Sequence, residues 1–319
     1  MALTLTFSGL VLLFFGGELL LRGAVAVALR FGLSPMLIGL TIVAFATSMP
    51  ELLVTITAGL EGFTDVGIGN VVGSNVANIL LILGVAAILK PIKSKPRLIL
   101  RDTIAMVLAS AVFIVYALLG EVGLLQGVAM LTILTIYLVL SYRLERQRGA
   151  SSDDGDLLED VGKRPCSLPM AGVLMAIGLA GLCLGSQFLI EGAVDLAKAA
   201  GVSDTVIGLT LVAVGTSLPE LATAIVAGMR GHSDVALGNV LGSNIMNILL
   251  IVGILAIITP FHVATEVLNV DMWIMGAVSL LLLPVLIIGK GINRLGGGFF
   301  LLLYAGFIAY QLLSGKIPA

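Results

Sequence analysis

Charge is scarce in this chain. Only 11% of its 319 residues are Asp, Glu, Lys or Arg, against 59% hydrophobic residues. Soluble domains carry about 25% charged residues, so this balance, with a mean hydropathy of +1.15, excludes a soluble fold. Cysteine is nearly absent. Cys166 and Cys183 cannot build a disulfide framework and read as small packing residues. Histidine is as rare: His232 and His262 fall in predicted loops, too few and too far apart in sequence for a zinc site. No basic region precedes the first apolar run and no cleavage site follows it, so Leu3 onward reads as a mature span and not a removed signal. No nucleophile–base pair or glycine-rich catalytic elbow stands out, which argues against a membrane-embedded hydrolase and against an enzyme generally.

What the chain has is long apolar runs. About ten approach or exceed the roughly 20 residues needed to cross a bilayer: approximately 3–29, 34–60, 66–89, 99–119, 122–142, 169–197, 203–229, 235–258, 268–289 and 294–313. The clearly polar stretch, Arg143 to Ser167, reads as a short linker. Shifting the chain by 169 positions lays Gly39–Gly84 on Gly208–Gly253 without a gap, with about 28 of 46 positions identical. The register extends outward, matching Gly16 to Gly185, Pro91 to Pro260 and Asp102 to Asp271. The expectation is an all-α membrane protein of two five-helix repeats, 1–142 and 169–319, joined by a cytoplasmic linker at 143–168. Five is odd, so the second repeat starts from the opposite side and the halves are inverted.

Basic residues support this. With both termini outside, about 14 of the 17 Lys and Arg fall in cytoplasmic loops. The copies also diverge in loop charge while agreeing in their centres: Lys90, Lys93 and Lys95 match Thr259, His262 and Ala264. The expected location is the plasma or inner membrane, multi-pass.

The centres of the repeats carry the chemistry. Thr47-Ser48-Met49-Pro50-Glu51 returns as Thr216-Ser217-Leu218-Pro219-Glu220, each within an apolar run. An intramembrane carboxylate is costly and marks function. The prolines donate no backbone hydrogen bond, so the carbonyls of Ala46 and Gly215 lose their helical donors. Free carbonyls beside a carboxylate make an oxygen-rich pocket for a hard cation. Thr47, Ser48 and Glu51 share one helix face, as do Thr216, Ser217 and Glu220. In the neighbouring spans Ser74 and Asn78 lie four apart, as do Ser243 and Asn247. Brought together, these groups suit calcium, which takes six to eight oxygens in flexible geometry. Sodium would accept the same hydroxyls and carbonyls. Gly69, Gly73, Gly238 and Gly242 would let these helices approach the Glu-bearing ones closely. Glu18 and Arg22, four apart, are expected to pair along one helix. Ser, Thr and Asn in membrane helices also serve as plain interhelical glue, the bland alternative for any one of them.

In its two Thr-Ser-x-Pro-Glu and two Gly-Ser-Asn-x-x-Asn elements, at fixed spacing over nearly the whole chain, the sequence resembles the sodium/calcium exchanger branch of the cation/calcium exchanger superfamily. The resemblance implies ten helices in two inverted halves. It implies Glu51 and Glu220 as calcium ligands shared with sodium, with the carbonyls of Thr47 and Thr216 completing the calcium site. Carbonyls of Ala44 and Ala213, and hydroxyls of Ser48, Ser74, Ser217 and Ser243, would serve sodium. Asn78 and Asn247 would close the middle. Potassium-dependent relatives carry Asp where this chain has Asn247, so potassium independence is expected. The 143–167 segment is too short for the large calcium-sensing insertions of animal members. The expected function is sodium/calcium antiport by alternating access, with the first and sixth spans as the moving part. The alternatives are a calcium/proton antiporter using the same glutamates and, less favoured, a cation channel. Expected partners are calcium, sodium and the lipid bilayer, with no nucleic acid and no cofactor.

Overall fold

The computed structural model describes residues 2–94, 96–148, 167–199, 215–289 and 291–313. Its helices are α1 (Ala2–Phe31), α2 (Met36–Thr47), α3 (Met49–Leu60), α4 (Thr64–Leu89), α5 (Pro96–Leu118) and α6 (Leu124–Arg148), then α7 (Leu168–Ala199), α8 (Leu218–Met229), α9 (Ser233–Ile258), α10 (Val267–Ile287) and α11 (Arg294–Leu313). Among the described residues, eight helices are each long and apolar enough to cross a membrane, and the bent pair α2–α3 makes a ninth span. Helix α8 is the described part of the predicted span 203–229; its earlier portion lies outside the described residues. The linker expected from Arg143 begins later, because α6 continues to Arg148. The polar residues Arg143, Glu145 and Arg146 extend that helix by favourable intrinsic propensity.

The repeats meet about a pseudo-two-fold axis. Ser110 on α5 and Ser279 on α10, which occupy matching positions in the 169-residue repeat, place their hydroxyls 3.3 Å apart. Two mates can touch each other only near the axis relating them. The loops cross over in the same way. Ile92–Lys93 (β1) pairs antiparallel with Gly291–Ile292 (β2), and at the matching place Val122 pairs with Phe261. Gly291 is required there: its φ is +134° and a Cβ would fall against the Ile92 carbonyl.

Among the described residues, glycines bring several helix pairs into backbone contact, α1 with α7 and α9 with α2 among them. Gly9, Gly16 and Gly23 of α1 lie against α7, and a Cβ at Gly16 would come within 2.8 Å of the Leu182 nitrogen. From the other side, Gly178, Gly185 and Gly192 press on α1. Small residues recurring every seven positions let the two backbones touch, the packing that joins helices in lipid. Gly238 and Gly242 of α9 bring that helix onto the α2 backbone at Met36 and Leu40. That is the expected close approach, made to the Glu-bearing span of the other repeat. Gly69 and Gly73 show no such contact among the described residues. Outward-facing apolar side chains such as Leu125 and Leu302 remain exposed on the lipid-facing surface.

Candidate functional site

The site is built where the helices break. At Ser48 the backbone leaves helical geometry (φ −83°, ψ 6°), and α2 and α3 diverge by 44°. Ser217 does the same ahead of α8 (φ −90°, ψ 6°). Pro50 and Pro219 sit in the first turn of the following helices, where a missing N–H costs nothing. The expected donorless carbonyls are not free, however. Backbone N–H groups of the break close on the carbonyls of Ala44 and Ala46. The Gly215 carbonyl accepts from the Ser186 hydroxyl of α7 at 2.7 Å. Buried carbonyls rarely stay unpaired, so the fold supplies substitutes for the donors that proline removes.

Glu51 and Glu220 are fully buried, and each carboxyl is held by a serine of the opposite repeat. Ser48 donates to Glu220 Oε1 at 3.2 Å, and Ser217 lies 3.2 Å from Glu51 Oε1. Ser217 is also 3.3 Å from Ser74 Oγ. Thr47 donates to Asn239 Oδ1 at 3.2 Å and Thr216 to Asn70 Oδ1 at 3.4 Å. Asn78 Nδ2 donates to Asn244 Oδ1 at 2.9 Å, and Asn247 Nδ2 to Asn75 Oδ1 at 3.4 Å. Asn78 and Asn247 each open a π-helical turn, over Asn78–Ile82 and Asn247–Val252, a local widening often found at functional positions.

The remaining lone pairs define what the cluster can bind. Glu51 Oε2, Glu220 Oε2, Asn78 Oδ1, Asn247 Oδ1 and Ser243 Oγ are buried with no hydrogen-bond partner within bonding geometry. A buried unpaired acceptor costs about 1–3 kcal/mol, more when charged. Five of them, on residues from both repeats, are a donor set for an oxygen-seeking cation. The donors in this set are all oxygens, the ligand type that hard cations take.

Of the predicted site residues, Glu51, Glu220, Thr47, Thr216, Ser48, Ser217, Ser74, Ser243, Asn78 and Asn247 all lie within this network or beside it. The Ala44 carbonyl lies at its edge, taking Ser48 N at 3.0 Å and Thr47 Oγ1 at 3.4 Å. Ala213 lies outside the described residues. Sequence reasoning missed Asn70, Asn75, Asn239 and Asn244 as partners, although each is identical in both copies of the repeat. It also missed Arg230. The expected Glu18–Arg22 pair forms at 2.7 Å, but Arg230 at the end of α8 joins it, with contacts of 2.7 and 3.0 Å to the two Glu18 oxygens. The partners are 212 residues apart in sequence, so no local spacing rule could have paired them.

Repeats related by a pseudo-two-fold axis, broken helices and a carboxylate pair buried between them define a membrane transporter of cations, not an enzyme. The chain belongs to the sodium/calcium exchanger protein family, whose profile matches residues 1–143 and 170–313. It is 40% identical over 310 residues to CaxA of Alkalimonas amylolytica, covering 96% of each chain. It is 34% identical over 333 residues to the sodium/calcium exchanger MaX1 of Methanosarcina acetivorans, covering 94% of this chain and 95% of that one. Its fold matches the solved sodium-calcium exchanger NCX_Mj, soaked with zero Na+ and Ca2+, with a TM-score of 0.80 and 31% identity, over 97% of this chain and 98% of the other. The protein is a multi-pass membrane antiporter of the cation/calcium class.

Proposed function

We propose that the protein exchanges sodium for calcium through one midplane site, with Glu51 and Glu220 shared between the two ions. The observation that carries this reading is the reciprocal arrangement of Ser48 on Glu220 and Ser217 on Glu51, beside five buried oxygens without donors. Two carboxylates neutralise one calcium ion, and hydroxyls and amide oxygens complete an oxygen shell. The hydroxyls of Ser48, Ser74, Ser217 and Ser243 and the carbonyls of Ala44 and Ala213 then serve sodium, and the carbonyls of Thr47 and Thr216 serve calcium. Because both ions need the same carboxylates, occupancy by one excludes the other, and that exclusion couples the fluxes. An unloaded pocket holds two uncompensated carboxylates in low dielectric, a costly state in which to change conformation. Loading either ion removes the cost.

In this account the halves are 1–142 and 169–319, and the chain lies in the cytoplasmic membrane with both termini outside. Helices α1 and α7, fastened to each other through their glycines, move together against the rest. The serine hydroxyls favour sodium over protons as the coupling ion, since proton coupling has little use for them. The test is radioactive calcium uptake into proteoliposomes. An outward sodium gradient is expected to drive uptake, and a pH gradient without sodium is not. Uptake driven by pH alone would establish the calcium/proton alternative.

A further inference from the structure

The first asparagine of each Gly-Ser-Asn-x-x-Asn element, Asn75 and Asn244, has no part in the ion-binding reading above, yet both are almost completely buried at the centre of the molecule. We propose that Asn75 and Asn244 are positioning residues that turn the side-chain oxygens, and not the nitrogens, of Asn78 and Asn247 toward the ion. The inference rests on the reading of Asn78 and Asn247 as ion ligands.

An asparagine amide has nearly the same shape either way round but the opposite electrostatic sense: one end only accepts, the other only donates. At a cation site the wrong orientation presents two N–H groups to a positive charge. Something must set the direction, and here water cannot compete, because Asn78 and Asn247 are fully buried.

Two chains of hydrogen bonds set it, each anchored on a group that can only accept. The first starts at the backbone carbonyl of Asn75. Asn244 Nδ2 lies 3.3 Å from that oxygen and 3.5 Å from the Met106 sulfur. Both neighbours are acceptors, so the Asn244 nitrogen must face them. Its Oδ1 then faces Asn78 and accepts from Asn78 Nδ2 at 2.9 Å. Asn78 Oδ1 is left pointing away, buried and without a donor. The second chain starts at the Met275 sulfur, the repeat mate of Met106. Asn75 Nδ2 lies 3.5 Å from it, so Asn75 Oδ1 turns to accept from Asn247 Nδ2 at 3.4 Å. Asn247 Oδ1 is likewise left without a donor. Reversing any one amide would set acceptor against acceptor along its chain. Asn75 belongs to both chains, its carbonyl anchoring one and its side chain carrying the other, so the two amide ligands are oriented together.

The test uses the fact that a carboxylate needs no orienting, since both its oxygens accept. Asn244→Leu is made in the parent and in the Asn78→Asp background; Asn75→Leu is made in the parent and in the Asn247→Asp background. Calcium half-saturation and maximal rate are read from sodium-driven uptake into proteoliposomes, with folded protein selected by size-exclusion chromatography. In the parent each Leu substitution is expected to raise calcium half-saturation by about tenfold, with a smaller change in maximal rate. In the matching Asp background the same substitution is expected to shift it by less than about twofold. An equal rise in both backgrounds would mean that Asn75 and Asn244 act only through packing, and would overturn the proposal. Should either Leu variant fail to fold, Met275→Leu, a swap of similar volume, removes only the acceptor for Asn75 Nδ2. It is expected to raise half-saturation several-fold in the parent and not in the Asn247→Asp background; no effect in the parent would overturn the Asn75 chain. Asn78→Leu and Asn247→Leu separate the two levels. If neither alters calcium half-saturation, the ligand reading fails and this inference with it. If both do but Asn244→Leu does not, this inference alone fails.

Discussion

At the scale of single residues, the breaks ahead of α3 and α8 are made by proline, and the second has a side-chain donor that the first lacks. The Gly215 carbonyl is satisfied by Ser186, whereas the mate of Ser186 in the first half is Gly17, which has no side chain to offer. Ser186→Ala should therefore strand a buried carbonyl, cost about 1–3 kcal/mol and lower the apparent Tm of the purified protein by several degrees. An unchanged Tm would show that another donor replaces Ser186. A second prediction concerns Ser243, whose buried hydroxyl has no partner. Ser243→Ala should raise the sodium half-saturation of exchange by up to about tenfold while moving that of calcium less, because calcium keeps both carboxylates. Equal shifts for both ions would remove Ser243 from the sodium sites.

Legibility also differs from residue to residue. Glu51, Glu220 and their serines could be found because they are polar, lie in apolar runs and recur after 169 positions. That each serine would serve the glutamate of the other repeat could not be read, since helix-face arithmetic joins Ser48 to Glu51, not to Glu220. The supporting asparagines carried a readable signal in their identity between copies, but in membrane helices that residue type also serves as plain packing glue. The donorless carbonyl of Gly215 was misjudged because its donor comes from Ser186, on a distant helix.

At the scale of helices, α1 and α7 are held in backbone contact through glycines spaced by seven on both. Gly16→Leu should force the backbones apart and abolish transport together with much of the folded yield, as checked by uptake and size-exclusion chromatography; normal uptake would show that the contact is dispensable. Helix α1 is tied to α8 by Gly17 against Val226, 3.3 Å from an ideal Cβ to Val226 Cγ2, and by Glu18 with Arg230. If α1 and α7 move as a unit against the rest, a disulfide between Gly17→Cys and Val226→Cys should halt exchange, and reduction should restore it. The native Cys166 and Cys183 would be replaced first. Undiminished exchange in the fully crosslinked protein would assign the motion to other helices. The helices themselves were readable from apolar run length. The extension of α6 to Arg148 was not, because loss of hydropathy marks the membrane edge and not the end of the helix.

At the scale of the whole molecule, the inverted repeat would let the proposed single site serve two ions from two sides. Each half contributes one carboxylate, one set of hydroxyls and one amide, and the pseudo-two-fold axis marked by Ser110 and Ser279 brings them together. Asn247 contributes no charge, and the account predicts that exchange proceeds without potassium; strict potassium dependence in a reconstituted assay would contradict that.

The central claim is that Glu51 and Glu220 hold calcium and sodium in alternation. Its most direct test is sodium-gradient-driven uptake of radioactive calcium into proteoliposomes by the parent, Glu51→Gln and Glu220→Gln proteins. Removing one charge from a buried charged cluster costs about 3 kcal/mol, so each variant is expected to lose calcium uptake by about a hundredfold or more while remaining folded and reconstituted. Calcium uptake at the parent rate in either variant, still driven by sodium, would contradict the account.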